Sequence, residues 1–292
     1  PMQTVGRMRT QGWEFQIGWK GSIGSAVQYR ADFNIWDYKS WVTKLNFNEE
    51  KSLSYLYEGK QVGEIWGYDW DGFYTVDDFS DLSTWQLKDG VTGVNGTSPR
   101  PGDFKYKNLV DGQYSDDDRN MINTGRGTAT EPGDRRVIGN NTPRFQYGFN
   151  FGVTVAGFDL SVRLQGVGKR DYFSSGPYFY TYFGSQDAIW SPAFVGTENY
   201  WSPKSTDASS PDYYVATNPD AKLPRIYGNV GNGNYNRWNN THMLSNAAYL
   251  RVKNVTLSYS FPKRLLQKVS VSSLRALDRK SGSAGMPRPI SY

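Results

Sequence analysis

Phe145-Gln146-Tyr147-Gly148-Phe149-Asn150-Phe151-Gly152-Val153-Thr154-Val155 is followed by Ala156-Gly157, then by Phe158-Asp159-Leu160-Ser161-Val162-Arg163-Leu164-Gln165. Apolar residues hold every second position on both sides of the dipeptide. A side-chain period of two belongs to a β-strand, and two such runs joined by two residues read as a hairpin. The same unit stands earlier in the chain. Trp13, Phe15, Ile17 and Trp19 alternate with Glu14, Gln16, Gly18 and Lys20; after residues 21–26, Val27, Tyr29, Ala31, Phe33 and Ile35 alternate with Gln28, Arg30, Asp32 and Asn34. The alternation predicts antiparallel strands over 13–20, 27–35, 145–155 and 158–165. A further strand is expected over 255–261, where Val255, Leu257, Tyr259 and Phe261 share one face. Leu250 and Val252 have the opposite parity, which fits either a bulge or a strand emerging above a membrane.

Composition agrees with strands and turns. The 292 residues include 10 Trp, 21 Tyr, 15 Phe and 31 Gly, a balance that favours strands over helices. No run of 18 apolar residues exists, which excludes a transmembrane helix but not barrel strands. There is no Cys and one histidine, His242, so thiolate sites, disulfides and multi-His metal sites are excluded. A net charge of +5, evenly spread, gives no argument for nucleic acid. The chain opens Pro1-Met2-Gln3 without a basic-then-apolar leader, and the strand pattern favours a piece of a longer chain over a cytoplasmic protein.

Two architectures bury alternating strands: a sandwich of two sheets and a transmembrane barrel. Aromatics at strand ends (Trp13, Trp19, Phe145, Phe158) opposite a polar face of Gly, Gln, Asn and Thr with single charges favour the barrel, with its aromatic girdles and polar lumen. Loop lengths point the same way. Turns within the hairpins are short, whereas residues 37–144 and 167–246 connect them, and loops beyond about 12–15 residues are uncommon in compact domains. The expected fold is all-β: an antiparallel, incomplete transmembrane barrel with long extracellular loops. The odd-numbered apolar residues of 13–20, 27–35, 145–155 and 255–261, and the even-numbered ones of 158–165, are expected to face lipid.

Six segments in order resemble the SusC/RagA-type TonB-dependent outer-membrane transporters of Bacteroidetes. They are Gly6 to Glu14; Gly59 to Tyr68 with Asp71-Gly72-Phe73; Pro101-Gly102-Asp103-Phe104-Lys105-Tyr106-Lys107-Asn108-Leu109; Asp116 to Arg119 with Val137 to Arg144; Gly157 to Ser161 with Gln165 to Gly168; and Ala248 to Leu257. The third is similar to the family's P-G-D-I-K-Y-K-D-L, and the last to S-Y-L-R-L-K-N-V-T-L. The resemblance covers most of 6–275 and corresponds to roughly the last third of such a transporter. It implies an outer-membrane location, a SusD-like lipoprotein partner, coupling to the TonB complex through N-terminal parts lying outside this match, and uptake of oligosaccharides or peptides. Residues 1–277 form the family portion on this reading. Residues 278–292, with Asp278, Arg279, Lys280, Pro287 and Pro289 but no alternation, depart from it and read as a shifted frame or truncated gene. That tail is expected to be irregular, the last strand ending near Leu277 at an open sheet edge. The runner-up reading is a secreted all-β glycan-binding module.

No catalytic constellation stands out, so an enzyme is not expected, nor a cofactor. His242 sits in a polar stretch and reads as a surface histidine. Many family members carry a calcium-loop pattern where this chain reads Lys107-Asn108-Leu109-Val110-Asp111-Gly112-Gln113-Tyr114-Ser115-Asp116. Its altered spacing and ligands leave no metal expected. Gly228 to Gly233 lacks the Lys-Ser/Thr of a phosphate loop. The long loops hold the candidates for substrate contact: Trp66, Tyr68, Trp70, Trp190 and Trp201, whose flat amphipathic rings suit sugar faces or peptide side chains. The competing expectation for each ring is packing of the loops on one another.

Overall fold

The computed structural model describes residues 6–110, 120–174, 199–226, 234–266 and 274–281. Two long strands open the chain, β1 (Gly6–Ile23) and β2 (Val27–Leu45). Six short ones follow: β3 (Glu64–Gly67), β4 (Trp70–Phe73), β5 (Phe79–Asp81), β6 (Gln86–Leu87), β7 (Phe104–Tyr106) and β8 (Arg136–Asn140). Then come β9 (Arg144–Val155), β10 (Phe158–Lys169), β11 (Asp171–Phe173), β12 (Leu244–Asn246), β13 (Tyr249–Ser260) and β14 (Arg275–Ser281). No helix among the described residues is long and apolar enough to cross a membrane, which says nothing of crossing by strands.

Six strands form one sheet in the order β1-β2-β9-β10-β13-β14, so the long strands lie side by side in chain order, and among the described residues the sheet is not closed. The expected strands all form, and β1 and β2, at 18 and 19 residues, outrun the segments that alternation marked. About 9–11 residues of tilted strand cross the hydrocarbon layer, so both have length to spare. The β9–β10 turn is the expected dipeptide, Ala156 at φ 49° and Gly157 at φ 88°. Positive φ at both central residues gives a turn whose twist matches that of the strands.

Register settles the parity of β13. Leu160 pairs with Leu257 and Val162 with Val255; after a shift between Arg163 and Leu164, Leu164 pairs with Val252 and Gly166 with Leu250. The extra residue on β13 is a bulge, and it restores Val252 and Leu250 to the face of Leu257.

Beyond Leu277 the structure corrects the expectation. β14 continues through Asp278, Arg279 and Lys280 to Ser281, antiparallel to β13, with Leu257 opposite Asp278 and Val255 opposite Lys280. Backbone pairing to an available edge does not require alternating side chains, so a sequence without alternation still extends the ladder. Residues 282–292 lie outside the described residues. Among the described residues β14 ends the sheet order.

The chain divides into two compact units. One comprises residues 1–7, 42–140 and 172–245; the other comprises 8–41, 141–171 and 246–292. The second holds most of the six-stranded sheet. The first is built from the two long connections and has its own core of Tyr68, Phe73, Tyr74, Phe79, Val94, Phe104, Tyr106, Ile122, Tyr200, Trp201, Ala221, Leu223, Tyr235 and Met243. Long loops that bury this much aromatic surface are an ordered unit in themselves.

Candidate functional site

The sheet's first functional property is its unlike faces. Cross-strand partners share a face, so Ala31–Phe151–Val162–Val255 and Tyr29–Val153–Leu160–Leu257 are apolar rows running across four strands. This face is uncovered at its edge strand: Trp13, Phe15, Ile17 and Trp19 of β1 are 50–67% exposed. Phe158, Leu250, Val252 and Leu257 are likewise exposed. A sandwich would bury these side chains against a second sheet; here their exposure leaves a continuous apolar surface of the kind that meets lipid. The opposite face carries Asp32–Asn150–Arg163–Asn254 and Gly152–Ser161–Thr256–Arg279. One ion pair near the end of this sheet was not marked in the sequence: Arg144 grips the buried Asp37 through two hydrogen bonds, and the Phe145 N–H also donates to Asp37. The two residues lie 107 positions apart, and nothing local signals their pairing.

The loop unit is organised around the tripeptide Pro101-Gly102-Asp103. Gly102 has φ 90°, and a Cβ there would stand 2.2 Å from the Trp201 ring. Only glycine fits, on both counts. Asp103 is fully buried and accepts from the Arg100 N–H at 2.9 Å, the Tyr235 hydroxyl at 2.9 Å and Arg225 Nε at 2.7 Å. It ties three distant segments together. The neighbouring Phe104 N–H donates to Asn236 Oδ1 at 2.7 Å, and the Tyr106 hydroxyl donates to the Tyr235 carbonyl at 2.8 Å. A second buried carboxylate, Asp134, accepts backbone N–H groups from Leu109, Val110 and Asn123, each at 2.7 Å. Sequence reading singled out none of Asp103, Asp134, Arg225 and Tyr235 as site residues; Asp103 entered only within the Pro101–Leu109 resemblance, where Pro-Gly-Asp is the signal that could have marked it.

The structure distributes the candidate aromatics unequally. Tyr68 and Trp201 are core residues, 4% and 3% exposed. Tyr68 stacks on Trp238 at 4.7 Å, and Trp201 closes over Gly102. Trp66 and Trp70 are half-buried, on β3 and β4. Trp66 Nε1 donates to Glu64 Oε2 at 3.3 Å, and Trp70 stacks on His242 at 3.9 Å, its indole N–H without an acceptor among the described residues. Trp190 lies outside the described residues, as do Asp111 to Arg119 and Gly228 to Gly233. Packing of loops on one another accounts for Tyr68 and Trp201; Trp66 and Trp70 are only half-buried.

His242 is not the surface histidine expected. It lies between Trp70 and the edges of Phe73 and Phe104, its Nε2 at 3.1 Å from the Lys222 carbonyl oxygen. Burial and the nearby Lys222 ammonium push its pKa down to about 4, so the ring is neutral at pH 7. Stacked among these rings, the uncharged imidazole packs the loop unit. No group of three or more metal-ligating side chains occurs among the described residues.

No family model matches the chain. It is 23% identical over 286 residues to "TonB-dependent receptor P3" of Formosa agariphila, covering 94% of this chain and 24% of that protein. Among solved structures it resembles a chain of the RagAB peptide transporter, with a TM-score of 0.58 and 17% identity, over 97% of this chain and 27% of that one. A RagAB peptide importer in its closed-closed state gives a TM-score of 0.55 at 18% identity, over 95% and 26%. The chain thus spans about a quarter of the length of each of these relatives, and the likeness to RagAB is one of fold.

Proposed function

Because this chain is related in sequence and fold to the SusC/RagA-type TonB-dependent receptors, we propose that it is the C-terminal portion of an outer-membrane nutrient importer. Residues 1–277 contribute barrel strands and extracellular loops; the cargo is an oligosaccharide or a peptide. The observation that carries the reading is the six-stranded antiparallel sheet with one uncovered apolar face and one polar face. In this role the apolar face meets the bilayer and the polar face lines the lumen. A SusD-like lipoprotein captures cargo outside, and the inner-membrane TonB complex supplies the energy through parts N-terminal to this portion. The chain's own residues then do no bond chemistry: they bind, orient and line a path.

Trp66 and Trp70 are the proposed substrate contacts, since each is only half-buried. Tyr68 and Trp201 belong to the buried core of the loop unit and support its fold, and Trp190 belongs to the same proposed set. The test uses cells carrying the complete transporter, fed labelled oligosaccharides or peptides. Uptake should disappear when residues 145–165 are deleted and when the proton gradient is collapsed. W66A and W70A should each weaken uptake about tenfold while surface levels hold, the scale of one lost stacking contact. Uptake that continues without the 145–165 hairpin would rule the proposal out.

A further inference from the structure

Three arginines gather on the polar face of the sheet with too little negative charge to neutralise them. Arg163 of β10 pairs with Asn254 of β13; on the other side of β13, Thr256 pairs with Arg279 and Ser260 with Arg275. Arg163, Arg275 and Arg279, with Asn254, Thr256 and Leu277, line an open cleft of ≈ 410 Å³. All six belong to the sheet unit. Two of them, Leu277 and Arg279, lie in or beside the stretch where the sequence departs from the family resemblance, so the cleft is a feature of this chain's own β14.

Their hydrogen bonds are unevenly spent. Arg275 is held by Ser258 Oγ at 2.9 Å from its Nε and by Asp159 Oδ1 at 3.2 Å from Nη2. Arg163 and Arg279 each donate through Nε alone, to Asn150 Oδ1 at 2.9 Å and to Asn254 Oδ1 at 2.8 Å. Neither enters an ion pair among the described residues, so the terminal amino groups of both remain available. An amide anchor on Nε fixes the plane of each guanidinium while leaving the outer edge of the fork unspent. That edge is the geometry that takes two oxygens of a phosphate or sulfate group. Asp159 offsets only one of the three positive charges, and like charges gathered without counter-charge attract an anion.

We propose that this cleft is an oxyanion-binding site, taking a tetrahedral phosphate- or sulfate-type group between Arg163, Arg275 and Arg279. The proposal stands on the sheet's polar face and does not need the chain to be an importer; a secreted binding module with this sheet would bind the same group.

The test is calorimetric titration of the full chain, in a neutral maltoside detergent at fixed ionic strength, with inorganic phosphate and with sulfate. Saturable binding is expected, weakened at least tenfold by R163Q combined with R279Q. R163K combined with R279K, which keeps the charges but loses the forks, should fall between. R30Q removes a positive charge from the same face outside the cleft and should leave affinity within twofold. Thermal unfolding of each variant separates lost binding from lost folding, and N150L, which removes one anchor and no charge, gives a second route to the same loss. No saturable binding in the parent chain would overturn the site, as would a loss in R30Q equal to that in the double variant. A parallel titration with phosphatidylglycerol in the micelle separates the sources. Competition with phosphate assigns the group to a lipid headgroup and its absence to a soluble solute, and either result supports the cleft.

Discussion

Gly102 and Asp103 sit side by side and act through different physics. At Gly102 a methyl group meets both a left-handed backbone and the Trp201 ring at 2.2 Å, so G102A should destabilise the loop unit by about 2–4 kcal/mol. At Asp103 the carboxylate is buried against Arg225, and D103A strands that guanidinium; a loss of about 3–5 kcal/mol is expected. Denaturant unfolding followed by tryptophan fluorescence checks both, and losses under about 1 kcal/mol would contradict a structural role for either residue. His242 gives a pH dependence whose sign is fixed by its depressed pKa. Between about 4 and the ordinary 6.5 the unfolded chain binds a proton that the folded ring refuses. Its contribution is complete above pH 6.5 and is lost as the pH falls toward 4, by about 2 kcal/mol once solvent screening of the half-buried ring is allowed for. H242Q should flatten that part of the pH–stability curve; an unchanged slope would place the titration on another group. The sequence carries a local sign of Gly102 and Asp103, because Pro-Gly-Asp is a turn motif. It carries none for the burial of His242 or for Arg225, whose partners are supplied by segments far along the chain.

Strands were legible because their period is local. The turn at Ala156-Gly157 and the alternation on either side required no knowledge of partners, and the register between β9 and β10 follows from the two-residue turn. The bulge in β13 was visible only as a parity conflict at Val252, since its resolution depends on β10 opposite. The continuation of β14 past Leu277 was illegible for the complementary reason: a strand extended by pairing to an edge leaves no periodic trace in its own residues. The pairing puts Asp278 and Lys280 on the apolar face, beside Leu257 and Val255. In a bilayer, a lysine on the lipid face costs about 2–4 kcal/mol near the midplane and less toward the interface. Replacing both residues with valine should therefore raise the yield of membrane-inserted protein and stabilise it by a few kcal/mol, read by heat-modified electrophoretic mobility and unfolding in bilayers. Equal or lower yield would show that this edge does not meet lipid. Ala156, in a left-handed conformation that costs an L-residue about 1–2 kcal/mol, offers a gain of similar origin: A156G or A156N should stabilise the hairpin by about 1 kcal/mol. Thermal unfolding of the parent chain beside these two variants measures it.

At the scale of the whole chain, one polypeptide makes two units by two different rules. Alternation builds the sheet, and buried aromatics with two satisfied carboxylates, Asp103 and Asp134, build the loop unit. The first rule is written in every second residue; the second depends on which loop aromatics meet, and for that reason Tyr68 and Trp201 could be placed only once the structure showed their partners. On the proposed function, the sheet separates lipid from an aqueous lumen. The chain contains no cysteine, so single cysteines can be placed at will. Spin labels at Phe151, Leu160 and Leu257, and at Asn150, Ser161 and Thr256, test the claim in reconstituted bilayers through their collisions with oxygen and with a water-soluble nickel chelate. The first three should collide preferentially with oxygen and the second three with the chelate, alternating residue by residue. Labels on the apolar face that are shielded from both reagents, or equally open to the chelate, would contradict a membrane-spanning sheet.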